Sequence, residues 1–289
     1  MIAPIHLVSA TDPDAAPALH ALNGQLAAYY NRAAIREYYR IADSVNKVWS
    51  RPSYHMLIRE LTRPGMTVLD MGCGSGHAVA NLKDRDVRYT GVDWSETRIA
   101  ENTKAYGTGP SFIAGSLYDT RLPADSYSIC FSLYVLEHLV WPHLFLKEMV
   151  RLTRPGGLIA VLCPDFRSLG RIPSLRYGKT VAPLREKVRR GLLIDGVRHL
   201  FLRTVRYPWV LRRRYPKERF PFLINLEPSC LGGAYYADND AVYFVDREEV
   251  SAELARLGAE DCTAGLCAEY GFTWPVPRGL TFVIARKAA

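Results

Sequence analysis

Apolar and polar positions alternate between two rhythms across the first half of this chain. Runs near 66–71, 87–93, 110–114, 127–133 and 157–163 are short and rich in Val, Ile, Leu, Tyr and Phe, so they read as strands. Segments near 76–84, 95–106, 135–139 and 142–153 carry apolar residues three and four apart and read as helices. Such alternation implies a parallel sheet with helices on both faces. Upstream, 1–17 is a loose leader rich in Ala, Pro and Asp, followed by helical periodicity over 19–30 and 33–48. Tyr29, Tyr30, Tyr38, Tyr39 and Trp49 give these helices large apolar faces. A third helix is expected over 53–61, with Ser53 as its cap and Pro64–Gly65 as its stop.

After Pro164 the rhythm stops until Ala241, Tyr243 and Phe244, beyond which a helix starts at Asp246–Glu248 and runs to about Leu257. Connections in such folds usually take about 2–6 residues, so 165–240 is an insertion. A hairpin-like end over 260–272 and 280–285 would close the sheet with an antiparallel edge. The expected units are 1–62 (leader and cap helices), 63–164 (core), 165–240 (basic insertion) and 241–289 (completion of the sheet). The fold class is therefore α/β: a Rossmann-like, seven-stranded, mostly parallel sheet, with N-terminal helices and a mainly helical insertion after the fifth core strand.

The 289 residues are 48% hydrophobic, enough for one substantial core and an appended subdomain. No stretch reaches the 18 or so apolar residues of a membrane span. No export signal is evident in 1–20. The six cysteines form no C-x-x-C pair, so reduced thiols in a cytoplasmic protein are expected, without structural zinc. Charge changes the picture more. The formal net charge is +8, yet 165–220 alone holds sixteen Lys/Arg against four Asp/Glu, a net of +12, which leaves −4 for the rest.

The chemistry-bearing pattern is Asp70-Met71-Gly72-Cys73-Gly74-Ser75-Gly76 at the end of the first core strand, followed by Gly91-Val92-Asp93. The glycines let the backbone turn tightly and approach a ligand. Asp93 falls 23 residues after Asp70, about where a ribose-binding acid stands in a nucleotide-binding βαβ unit. The D-x-G-x-G-x-G spacing differs from the dinucleotide pattern G-x-G-x-x-G. It resembles motif I of the class I S-adenosylmethionine (SAM) methyltransferases, and Gly91-x-Asp93 resembles their motif II. Phe112–Ser116 with Leu122–Pro123, the strand over 127–132 with Val135–Leu139, and Arg154-Pro155-Gly156-Gly157 resemble later segments of that family in its order.

The resemblance, which covers 66–164, implies SAM as cofactor and S-adenosylhomocysteine as its product. It implies that Asp70, Gly72, Cys73, Gly74 and Gly76 hold the methionine part, and that Asp93 binds the ribose diol. Trp94, Ser116, Leu117 and Leu133 would border the adenosine. Ser116 stands where the family usually has Asp or Asn. Methylation of a hydroxyl needs a general base, and His138 follows the fourth core strand closely enough to serve. Glu137 is its neighbour but about 100° round a helix, so the two are not expected to act as a pair. A metal-assisted reading of Glu137–His138 lacks a third ligand. The other histidines are expected to be surface or packing residues.

The insertion carries Leu192, Leu193, Ile194, Val197, Leu200, Phe201, Val205 and Trp209 at spacings of three and four, with Arg198, Arg203, Arg206 and Arg212–Arg214 beside them. This is a basic amphipathic pattern. Three readings follow: a lid whose apolar face packs on the core, a cradle for an anionic acceptor, or contact with the inner membrane face. Nucleic acid is not an expected partner, since no RNA-module signature and no Asn-Pro-Pro-Tyr-type motif occurs. The expected activity is O-methylation of a sugar, glycan precursor or specialised metabolite, or else of a lipid-linked or otherwise anionic acceptor. A SAM-binding protein that transfers no methyl group is the remaining alternative.

Overall fold

The computed structural model describes residues 6–31, 47–170, 174, 177–180, 182–214, 221–232 and 238–289. Strand β1 (Leu7–Ser9) is followed by helix α1 (Ala16–Tyr30), α2 (Tyr54–Leu61), β2 (Thr67–Met71), α3 (His77–Leu82), β3 (Arg88–Asp93) and α4 (Glu96–Tyr106). Then come β4 (Ser111–Ala114), β5 (Tyr127–Leu133), a single 3₁₀ turn (Leu136–His138), α5 (Pro142–Leu152) and β6 (Thr153–Pro164). The insertion supplies α6 (Leu184–Arg189), α7 (Leu193–Phe201), a π-helical stretch (Leu202–Arg206), α8 (Tyr207–Arg214) and β7 (Leu223–Asn225). The chain closes with α9 (Arg247–Arg256), β8 (Ala259–Asp261), α10 (Thr263–Tyr270) and β9 (Leu280–Lys287). The helix expected over 33–48 falls almost wholly outside the described residues.

The seven-stranded sheet has the order β4-β3-β2-β5-β6-β9-β8. Neighbours from β4 to β6 are parallel, and β9 runs antiparallel to both β6 and β8. The expected Rossmann-like class is therefore the observed one. Continuous apolar runs suit strands covered on both faces, and alternate residues go to opposite sides. Leu69, Met71, Cys130, Ile159 and Val161 join α1, α5 and α9 on one face. Val68, Ile129, Phe131, Ala160 and Leu162 meet α2, α3 and α10 on the other. The chain leaves β2 outward to β3 and β4, then returns to β5 on the other side. The strand order thus reverses between β2 and β5, and a ligand crevice belongs outside the carboxyl ends of those strands.

Two boundaries differ from expectation. The end of the chain is not a hairpin: β8 stops after three residues, and α10 fills most of the remainder. Asp261 Oδ1 accepts the Thr263 N–H at 2.9 Å and the Thr263 hydroxyl at 2.5 Å, an Asx turn that leads into a helix where strand was expected. Strand β6 also begins earlier, at Thr153, because Thr153 pairs with Tyr127 before a register shift at Ile129.

The insertion is tied to the leader at one edge and braced internally by a buried ion pair. Its β7 pairs antiparallel with β1 in a separate ribbon. Deeper in, the Lys187 ammonium, fully buried, lies 3.1 Å from Asp195 Oδ2 and donates to the Tyr177 carbonyl. Asp195 also accepts the Lys179 and Thr180 N–H groups at 2.5 and 3.1 Å and the Thr180 hydroxyl at 2.8 Å. Removing one partner strands a buried charge, at a cost of about 3–5 kcal/mol. Asp195→Ala is expected to open the insertion locally. Limited proteolysis would then cut within 177–195 while the core stays intact, and an unchanged digestion pattern would contradict this.

Candidate functional site

The loop after β2 is built on backbone that side chains would obstruct. Gly72, Gly74 and Gly76 have φ of +86°, +48° and +67°. The Gly72 and Cys73 N–H groups donate to the Val92 carbonyl at 2.8 and 3.1 Å, which clamps the loop onto β3. A Cβ on Gly91 would lie 2.9 Å from Cys73 Cβ and Sγ, so the absent side chain is what lets the loop seat there. Gly74 instead faces open space: a Cβ there would meet nothing within 4 Å.

Asp93 ends β3 directly opposite. Its Oδ2 accepts the Gly74 N–H at 3.0 Å and its Oδ1 accepts the Ser95 N–H at 2.9 Å. Burial raises its pKa against these stabilising donors. A carboxylate has about four lone-pair positions, so Asp93 is held rigid and keeps acceptor capacity for a diol. Asp70 stands behind the loop rather than on it. It is buried, its Oδ2 accepts the Tyr89 hydroxyl at 2.7 Å, and burial pushes its pKa to about 7. The Cys73 thiol is buried and pushed well upward in the same way.

The residues expected to border the adenosine are more scattered. Trp94 is half-buried, with its ring 5.9 Å from that of Tyr30 on α1. Ser116 is exposed, and its hydroxyl accepts the Tyr118 N–H at 3.1 Å. The side chains of Leu117 and Leu133 are buried on opposite faces of the sheet.

Beyond β5 the chain makes one 3₁₀ turn instead of a full helix, and this brings Glu137 and His138 together. His138 Nε2 lies 3.7 Å from Glu137 Oε1, so the expected separation of the two is corrected. The other nitrogen, Nδ1, lies 3.4 Å from Asp240 Oδ2. That same oxygen accepts the Tyr30 hydroxyl at 2.7 Å. The Glu137 carbonyl accepts the Val242 and Tyr243 N–H groups at 2.7 and 2.9 Å, which ties the turn to the end of the insertion. Tyr30 stands edge-on to His138 with ring centroids 6.1 Å apart, so a line of rings runs from Trp94 to the histidine.

The electrostatics of this group follow from burial. Desolvation pulls His138 toward its neutral form, but the Asp240 and Glu137 charges prevail and its pKa stands above the ordinary histidine value. Desolvation pushes Glu137 up to about 7, against the pull of His138. Asp240 Oδ1 and Glu137 Oε2 are buried and accept no hydrogen bond among the described residues. Asp240 and Tyr30 were not identified from the sequence: neither lies in a motif, and they stand 210 positions apart.

Comparison with known proteins accords with this geometry. The methyltransferase domain family matches residues 69–161. An uncharacterized methyltransferase of Mycobacterium avium is 42% identical over 96 residues, which is 32% of this chain and 38% of that protein. One from Mycobacterium sp. (strain JLS) is 40% identical over 105 residues, 34% and 39% of the two chains. By this similarity, residues 69–161 form a methyltransferase domain. The matches span less than two fifths of those relatives' length, and the methyltransferase domain here is flanked by segments outside them. Among solved structures, the Burkholderia thailandensis 1,6-didemethyltoxoflavin-N1-methyltransferase, bound to its acceptor and S-adenosylhomocysteine, superposes with TM-score 0.53 at 16% identity, covering 93% of this chain and 90% of that one. A putative methyltransferase of Haloferax volcanii, in complex with the Trm112 activator, gives 0.52 at 14% identity over 90% and 98%. These two likenesses bear on fold.

The residues of the methyltransferase domain fit SAM on chemical grounds. Bare backbone at Gly74 borders open space, a rigid carboxylate at Asp93 suits vicinal hydroxyls, and half-buried Trp94 offers an aromatic surface. All three stand at the carboxyl ends of β2 and β3. Among the described residues no three His, Cys, Asp or Glu side chains are placed to hold a metal ion.

Proposed function

We propose that this protein transfers a methyl group from SAM to a hydroxyl of a medium-sized acceptor, a sugar, glycan precursor or specialised metabolite, with His138 removing the hydroxyl proton. The observation that supports it is a half-buried histidine set between two buried carboxylates, five residues past the end of β5. It shares the sheet's carboxyl edge with the glycine loop and Asp93. When bound, SAM supplies an electrophilic methyl on a sulfonium. The protein's part is alignment and proton removal. The glycine loop and Asp93 fix the donor's position, which accounts for much of the rate advantage of an in-line displacement. His138 accepts the hydroxyl proton as the oxygen–carbon bond forms. Asp240, itself held by the Tyr30 hydroxyl, orients the ring and stabilises the imidazolium. Apolar burial around the group keeps water from competing for the methyl group.

Calorimetry with SAM and S-adenosylhomocysteine tests the cofactor, and labelled SAM with cell extract tests transfer. Asp93→Ala is expected to weaken SAM binding about 10–100-fold, since hydrogen bonds to a charged acceptor contribute about 1.5–3 kcal/mol. An unchanged affinity would move the ribose site elsewhere. Binding without methyl transfer to any extracted acceptor would leave a SAM-binding module and overturn the catalytic proposal.

A further inference from the structure

The insertion turns its apolar stripe outward. Over α7, the π-helical stretch and α8, the residues that face inward are Asp195, His199, Leu202, Tyr207 and Leu211. Leu202, Tyr207 and Leu211 join the same apolar cluster as Tyr30, Leu136 and Val242. The apolar residues at spacings of three and four are left outside: Ile194 is 88% exposed, Val197 68%, Phe201 48%, Val205 54% and Trp209 57%. At about 1.5 Å per residue, the stripe from Ile194 to Trp209 runs roughly 22 Å. Solitary exposed apolar residues are ordinary, but a contiguous row is a contact surface.

Charge says what the stripe meets. Residues 189–214 contain eight arginines and one acid. That acid is Asp195, which is buried and bound to Lys187, Lys179 and Thr180. No carboxylate therefore faces outward from this stretch. Arg203, Arg212 and Arg213 are exposed beside the stripe, and Arg213 lies over the Trp209 ring with its guanidinium carbon 5.2 Å from the centroid. An apolar row with Trp and Phe, edged by arginines and free of exposed acids, matches the interface of an anionic bilayer, where apolar side chains enter the acyl boundary and cations meet phosphate.

We propose that the 192–213 face lies on an anionic lipid leaflet, with Ile194, Val197, Phe201 and Trp209 inserted and the flanking arginines on the headgroups. This surface is separate from the methyl-transfer site, and the inference does not depend on which acceptor is methylated. No described helix is long and apolar enough to cross a membrane, so the contact is peripheral.

The full chain is tested by co-sedimentation with vesicles of phosphatidylcholine alone and with about one quarter phosphatidylglycerol. Binding is expected only to the anionic vesicles, falling at least about tenfold between roughly 0.1 and 0.5 M salt as the charges are screened. The triple variant Ile194→Glu, Val197→Glu, Phe201→Glu is expected to lose vesicle binding with unchanged SAM affinity, which also reports that it folds. Arg203→Glu with Arg212→Glu and Arg213→Glu is expected to do the same. Hydrogen exchange on the unaltered chain gives a readout free of substitutions: anionic vesicles are expected to protect 192–213 and leave β5 unchanged. The proposal is overturned if the unaltered chain does not co-sediment, or if the stripe variant binds vesicles as well as the original. It is equally overturned if sedimentation velocity shows the stripe holding two copies together in place of lipid.

Discussion

Replacing His138 with Ala is expected to lower kcat by about 10²–10⁴-fold, the usual contribution of a positioned general base, while SAM affinity stays within about twofold. The ring's neighbours include Glu137, Asp240 and Tyr30. The pH profile carries the sharper test. A base works in its neutral form, so kcat/KM must rise with pH as His138 loses its proton. Its pKa stands above 6.5, so the acid limb is expected above pH 6.5 and a plateau follows at higher pH. The displacement is due to the carboxylates, because burial alone acts the other way. Asp240→Asn is therefore expected to move the limb to lower pH as well as lowering the rate. A purely structural Asp240 would leave the limb in place. A flat profile over pH 6–9 in the unaltered enzyme would exclude His138 as the base.

That pairing shows where sequence reading runs out. The glycine loop, Asp93 and the alternation of strand and helix are local patterns. Each depends on neighbours within about twenty residues in the chain, and each appears where the spacing placed it. The cluster around His138 is not local. Tyr30 comes from a helix before the core, and Asp240 from the end of an insertion. Only the packing of both against the turn after β5 brings them to one oxygen. The expected 100° between Glu137 and His138 assumed a full helix. The chain makes one 3₁₀ turn instead, held by the Val242 and Tyr243 N–H groups on the Glu137 carbonyl.

The insertion shows a different limit. Periodicity finds an apolar stripe but not the partner that covers it. Here the inward face is instead built on Leu202, Tyr207 and Leu211, with the Lys187–Asp195 pair beneath it. Helix α10 starts from an Asx turn of Asp261 on Thr263 within a stretch of mixed propensity, which periodicity does not mark.

The second large effect is expected at Gly72, where the glycine loop and the turn that carries His138 meet through one side chain. A Cβ there would lie 2.3 and 2.8 Å from the two γ-carbons of Val135. Val135 is β-branched and stiff, and it begins the turn that carries Glu137 and His138. The residue before it, Tyr134, already holds φ of +57°, so the turn has little freedom to yield. Gly72 itself sits at φ of +86°, which costs an L-residue about 1–2 kcal/mol. Overpacking adds about 1–3 kcal/mol. Gly72→Ala is thus expected to lower Tm by roughly 5–15 °C, weaken SAM binding at least about tenfold, and lower kcat as the turn shifts. The two costs are separable. Val135→Ala removes both offending γ-carbons but leaves the backbone angle, so the double variant Gly72→Ala, Val135→Ala is expected to recover part of the lost kcat relative to Gly72→Ala alone. Such non-additivity is what a double-mutant cycle measures for groups in contact. Strictly additive effects on kcat would show that the glycine loop and the His138 turn are mechanically independent.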